Sequence, residues 1–178
     1  MNLANKITMF RIFLLPLLVI SFYLDQTGIS SLAIFLLGSF SDFLDGHIAR
    51  KYNMITDFGK FIDPIADKIL VLSAFIMFID RGLVEPWVVI VVLFRELLIS
   101  GFRMLAAKKN ISIAADIFGK LKTTTQFISV IFLFLSIILI SNKMLIVGKV
   151  FLYVSVALTV LSMINYLYKN KEVFHGTM

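Results

Sequence analysis

Cysteine is absent from the 178 residues. A disulfide scaffold and a thiolate metal site are therefore both excluded, and cysteine usage says nothing of the compartment. Charge is scarce as well: Asp, Glu, Lys and Arg make up 16% of the chain and hydrophobic residues 60%, against about 25% and about 45–50% in an average soluble domain. With a mean hydropathy of +0.96, that balance excludes a soluble enzyme and a disordered chain. Proline (3) and glycine (9) are few, no two glycines stand four apart, and no low-complexity run or internal repeat is visible. What remains is a polytopic, all-α membrane protein, with residues 1–178 forming a single membrane-embedded domain.

The formal charge of +6 points, in a chain this apolar, to an anionic membrane face or an anionic substrate rather than to nucleic acid. A helix needs roughly 20 apolar residues to cross a bilayer, so the charge-free runs are informative. Thr123 to Asn142 has 20 residues and Val150 to Tyr168 has 19. Earlier runs are shorter: 13 from Ile12 to Leu24, 16 from Gln26 to Ser41, 11 from Ile69 to Ile79 and 9 from Pro86 to Phe94. In so apolar a chain the short runs are read as helices that carry ionisable residues into the membrane, where such residues mark a site. Six transmembrane helices follow, at about 7–25, 30–50, 59–80, 86–107, 123–142 and 148–168. The first is read as retained rather than as a cleaved signal peptide, because no small-x-small pattern follows its apolar run. Lys6, Arg50, Lys51, Lys108, Lys109, Lys120, Lys122, Lys169 and Lys171 lie on one side, against Arg81, Lys143 and Lys149 on the other. By the positive-inside rule both termini face the cytoplasm. Trp87 fits an outer aromatic anchor, and Tyr166 and Tyr168 an inner one.

Between Ser41 and Lys68 the chain reads SDFLDGHIARKYNMITDFGKFIDPIADK. Asp42 and Asp45 stand at i,i+3, and Gly59, Asp63 and Asp67 at successive i+4 steps, so each set shares a helix face. Two adjacent helices would turn these four carboxylates toward one pocket near the cytoplasmic end. Uncompensated, they would repel and cost several kcal/mol each, so a cation belongs there. Oxygen ligands without Cys or a His pair select a hard cation such as Mg²⁺ or Mn²⁺, with Ca²⁺ not excluded by ligand type. Four Asp suit two metals, the arrangement that clamps both oxygens of an in-line phosphoryl displacement. Gly46, Ala49 and Gly59 leave room beside them for a ligand or for close helix packing.

These residues match D-x2-D-G-x2-A-R-x8-G-x3-D-x3-D at every specified position: Asp42, Asp45, Gly46, Ala49, Arg50, Gly59, Asp63 and Asp67. The segment thereby resembles the CDP-alcohol phosphotransferase family. The likeness extends to Asn5-x2-Thr8-x2-Arg11, and FRELLISGFRMLAAKKN with GKLKTTTQ is similar to the bacterial members that make phosphatidylglycerophosphate. The resemblance implies a six-helix fold, usually a homodimer, in a bacterial cell membrane with the active site facing the cytoplasm. It implies that Asp42, Asp45, Asp63 and Asp67 hold two divalent metals and that Asp67 deprotonates the acceptor hydroxyl. It further implies that Asn5, Thr8, Arg11, Gly46, Arg50 and Thr56 contact CDP-diacylglycerol. The implied reaction is transfer of the phosphatidyl group to sn-glycerol 3-phosphate, releasing CMP; inositol phosphate, phosphatidylglycerol or serine enzymes could share the same signature.

A phosphorylated acceptor needs cations. Arg95 and Arg103 lie eight residues apart in the fourth helix, about 80 degrees off one face, and intramembrane Arg seeks an anion. Lys120 and Lys122 precede the fifth apolar run and can close the same pocket. The alternative for Arg95 is a structural ion pair with one of the Asp residues or with Glu96. A divalent-cation transporter built on the Asp cluster is the competing function, but no acidic partner stands in the outer halves to continue a crossing path.

Overall fold

The computed structural model describes the backbone of residues 3–51, 57–108 and 117–169, and the side chains of residues 9–41, 68–106 and 117–169. Six helices follow one another: α1 (Leu3–Leu24), α2 (Ile29–Lys51), α3 (Asp57–Asp80), α4 (Pro86–Lys108), α5 (Ile117–Ile138) and α6 (Asn142–Lys169). The all-α reading and the helix count hold, but six transmembrane helices do not. Among the described residues only α5 and α6 are long and apolar enough to cross a membrane; Met9–Leu24 and Ile29–Ser41 form shorter apolar stretches. The reason is where charge falls: Arg11 interrupts α1, Lys68 sits within α3, and Arg95 and Glu96 stand side by side in the middle of α4. Large apolar side chains such as Phe13, Leu24, Ile90, Leu97 and Met104 nevertheless face outward. Outward apolar surface on this scale belongs to a membrane-associated protein.

The expected boundaries 123–142 and 148–168 shift as well, since α5 and α6 each begin six residues earlier, at Ile117 and Asn142. Charge-free runs understate a helix whose first turns carry lysines. Lys122 and Lys149 are held by Glu96 and Glu85 respectively, so neither ends its helix.

Each tight turn has a local cause. Between α1 and α2 the Asp25 carboxylate accepts from the Thr27 amide (2.9 Å) and hydroxyl (2.6 Å) through Oδ1, and from the Ser30 amide (3.1 Å) and hydroxyl (2.6 Å) through Oδ2. The Ser30 and Thr27 hydroxyls, then the Ser30 amide, hold this carboxyl well below the usual carboxylate range. α3 ends with Gly82 at φ +68°, where Leu83 N donates to Phe78 O at 2.9 Å and Gly82 N to Ile79 O at 2.9 Å, the glycine-terminated helix stop. Pro86 then opens α4, where its missing N–H costs nothing. At the α5–α6 turn the left-handed position falls to Ile140, φ 48°.

The core sits toward this set of turns. Phe78 packs edge-on to Phe134 at 4.8 Å, Phe22 meets both at 6.1 and 6.3 Å, and Phe35 stacks on Phe127 at 5.3 Å. α5 and α6 form the most extensive helix pair. Gly148 permits their approach: a Cβ there would lie 3.0 Å from Leu133 Cδ2, and Ser129 Oγ donates to Gly148 O at 2.9 Å. Below Gly148, the buried Ser155, Thr159 and Ser162 continue the close face of α6, the small-residue packing typical of membrane helices. Short connections make successive helices antiparallel. The C-terminal ends of α2 and α4 and the N-terminal ends of α3 and α5 therefore share one end of the bundle, opposite the aromatic core.

Candidate functional site

Toward that end lies a cavity of about 650 Å³, walled by α3, α4, α5 and α6. Arg95 and Arg103 from α4 and Lys120 and Lys122 from α5 all line it, joined by Lys68 of α3. The structure thus brings together the four cations singled out for an anionic acceptor. Among the described residues, Glu96 is the one carboxylate that lines the cavity opposite these five cationic side chains.

Glu96 organises the wall. Its Oε1 accepts from Lys122 Nζ and, at 3.2 Å, from Arg95 Nη1, while Oε2 lies 3.4 Å from Lys68 Nζ. Lys68 also donates to Ser100 Oγ at 2.5 Å, and Arg95 Nη2 to Ser162 Oγ at 2.8 Å. One carboxylate therefore ties α3, α4 and α5 together, and Arg95 extends the network to α6. The structural pairing of Arg95 with Glu96 is present, yet it does not use up the positive charge. Arg103 stands nearer the open end, its Nε donating to Tyr166 Oη at 3.4 Å and its guanidinium 5.8 Å from that ring's centre. Arg95 and Lys122 are buried, Lys68 is partly exposed and Arg103 and Lys120 lie toward the open side. Cations that outnumber the carboxylates among the described residues favour an anion with several acceptor oxygens, for which guanidinium and ammonium donors are matched.

Sequence reasoning gave no role in this wall to Lys68 or Gln126 and misjudged two other residues. Glu96 was read only as one alternative partner for Arg95, and its role as counter-ion to Lys68 and Lys122 as well was not seen. Tyr166, read as an interfacial anchor, is instead 2% exposed and packs edge-on to Phe102 at 5.7 Å. Gln126 carried no role, although it falls one turn beyond Lys122 on the same helix.

The remaining site residues fall elsewhere. Arg11 is buried within α1. Asn5 and Thr8 lie in the first turns of α1, Asp42, Asp45, Gly46 and Arg50 in the last turns of α2, and Asp63 and Asp67 in α3; their side chains lie outside the described residues, as does Thr56 altogether. Among the described residues no group of three or more His, Cys, Asp or Glu gathers that could hold a metal. The cationic cavity is itself unfit for one. The carboxylate set does fit a hard cation in its chemistry: residues 42–51 and 57–67 are helical, which puts Asp42 with Asp45, and Asp63 with Asp67, on common helix faces, and α2 packs on α3. Lys68, in the cavity wall, directly follows Asp67 in α3.

Fold and site together define a membrane-associated helical protein with a basic cavity next in the chain to a carboxylate-rich helix pair. Residues 1–161 match the family described as CDP-alcohol phosphatidyltransferase, and the chain belongs to that family. It is 35% identical over 181 residues to a CDP-diacylglycerol–glycerol-3-phosphate 3-phosphatidyltransferase of Rickettsia felis, covering 97% of both chains. A protein of the same name from Bacillus subtilis is 36% identical with 96% of each chain covered. An Arabidopsis thaliana protein of that name, numbered 2, is 34% identical over 94% of this chain and 79% of its own. Family membership carries a metal-dependent mechanism in general terms.

Proposed function

We propose that this chain transfers the phosphatidyl group of CDP-diacylglycerol to sn-glycerol 3-phosphate, forming phosphatidylglycerophosphate and CMP. The observation that carries the reading is the cavity, walled in part by the helix that also bears Asp63 and Asp67, in which, among the described residues, five cations face one carboxylate. Such a wall suits a small phosphorylated alcohol arriving from water.

In the reaction the 1-oxygen of the acceptor bonds to the lipid-proximal phosphorus as the bond from that phosphorus to the CMP oxygen breaks. Asp67 takes the proton of the attacking hydroxyl. Arg95, Arg103, Lys120 and Lys122 hold the acceptor's phosphate, converting an encounter into an oriented attack. Asn5, Thr8, Arg11, Gly46, Arg50 and Thr56 hold the cytidine diphosphate part of the donor. Asp42, Asp45, Asp63 and Asp67 would hold two divalent ions, Mg²⁺ or Mn²⁺, which would supply charge neutralisation for the diphosphate and the departing CMP. The acyl chains stay in the membrane, so the chemistry belongs at its boundary. The basic residues around the signature orient that boundary toward the cytoplasm of a bacterial cell.

The test is CMP release by purified protein in lipid–detergent micelles with CDP-diacylglycerol, comparing glycerol 3-phosphate, inositol phosphate, serine and phosphatidylglycerol. Release with glycerol 3-phosphate, lost on chelation, restored by Mg²⁺ or Mn²⁺ and abolished in Asp67→Asn, is the expected result. Release only with another acceptor would sink the assignment of the second substrate.

A further inference from the structure

The phosphate-binding cations leave part of the same cavity unaccounted for. Gln126 is 4% exposed, lines the cavity, and its Nε2 is buried without a hydrogen-bond partner among the described residues. A buried amide donor with no acceptor is costly and uncommon, so a group that completes it is called for. Its position says which group. Gln126 lies one helical turn beyond Lys122, about 6 Å along α5, away from the turns that carry Lys120. Apolar Val71, Leu72 and Val92 line the cavity too. A neutral amide adds little to a phosphate already facing five cations, but it pairs well with a hydroxyl, donating through nitrogen and accepting through oxygen.

We infer that the Gln126 amide binds the secondary hydroxyl of the acceptor and makes this site selective for a phosphorylated polyol over a phosphorylated simple alcohol. The inference rests on the proposed transfer to glycerol 3-phosphate and adds a specificity-determining residue to it. A site that hydrogen-bonds a substrate hydroxyl rejects the analogue lacking it, because the site's own buried group is then left unpaired. If an ordered water alone satisfied Gln126, acceptor choice would not depend on the side chain.

The decisive experiment compares sn-glycerol 3-phosphate with 3-hydroxypropyl phosphate, which keeps the phosphate and the attacking primary hydroxyl but lacks the 2-hydroxyl. CMP release is followed with CDP-diacylglycerol for the wild type, Gln126→Met and Gln126→Leu. The ratio of kcat/KM for the two acceptors does not depend on the fraction of folded enzyme. The wild type should favour glycerol 3-phosphate by about 10- to 100-fold. Both variants should bring that ratio to within about threefold of one, through loss on glycerol 3-phosphate with the analogue little changed. An unaltered ratio in the variants overturns the inference. Equal use of the two acceptors by the wild type overturns it without any variant. No CMP release by the wild type with glycerol 3-phosphate overturns the proposed activity itself, an outcome distinct from the other two because turnover is then absent.

Discussion

Glu96 on α4 and Lys122 on α5 form an ion pair inside the bundle, both side chains less than a tenth exposed. Because Arg95 and Lys68 share the same carboxylate, its removal leaves two buried cations, Arg95 and Lys122, and the partly exposed Lys68 without their counter-ion. Glu96→Gln should therefore lower stability by about 3 kcal/mol, the usual result of removing one member of a buried pair. Thermal melting in detergent reads this directly. Adding Lys122→Met should recover part of the loss, and inorganic phosphate should raise the melting temperature of Glu96→Gln more than that of the wild type. Equal stabilisation of both by phosphate would show that Glu96 does not set the cavity's anion affinity.

At Gly148, α6 packs tightly against Leu133 of α5. A Cβ there would stand 3.0 and 3.1 Å from the Leu133 side chain and 3.2 Å from the Leu133 amide nitrogen. Backbone cannot rotate away as a side-chain tip can. Gly148→Ala is expected to cost about 1–3 kcal/mol through forced separation of the two helices, visible as a lower melting temperature. An unchanged melting temperature would mean the pair can part at no cost.

Ile140 offers the opposite case. It holds φ 48° while 92% exposed, so its β-branched side chain strains the left-handed turn and contributes little packing in return. Replacement by glycine should raise stability by about 1 kcal/mol, measured as a higher melting temperature in the same detergent.

Asp25 makes the α1–α2 turn sensitive to acid. Its folded carboxyl titrates below the ordinary value of 3.8, so its stabilising contribution is complete above that value and disappears as pH falls through the folded value. Asp25→Asn should therefore melt below the wild type at neutral pH. The gap between the two should narrow once the pH drops under about 3.8. A gap that stays constant down to strong acid would deny the Asp25 carboxylate its role in the turn.

Much of the site is legible in the residues because its chemistry is carried by spacing. Asp42 with Asp45 and Asp63 with Asp67 read as helical pairs from sequence alone, and α2 and α3 are helical across those positions. Arg95, Arg103, Lys120 and Lys122 stood out because charge within apolar sequence is expensive, and one cavity gathers all four. The membrane layout was misread for the same reason: counting charge-free runs and assigning a crossing to each cannot tell a helix that spans from one whose charges are satisfied inside a bundle. Only α5 and α6 qualify as spans among the described residues.

Composition and local pattern by themselves determined the helical class, the apolar character of the chain, and the spacing of its carboxylates and cations along the helices. Tertiary structure alone decided that Glu96 would be the shared counter-ion of Lys68, Arg95 and Lys122, that Tyr166 would be buried rather than interfacial, and that Gln126 would be left with an unpaired donor in the cavity. The physical reason is range. Helix periodicity acts over four residues and is written in the chain, whereas the partner of a buried charge is set by which helices pack together, and those contacts join residues 26 to 67 positions apart.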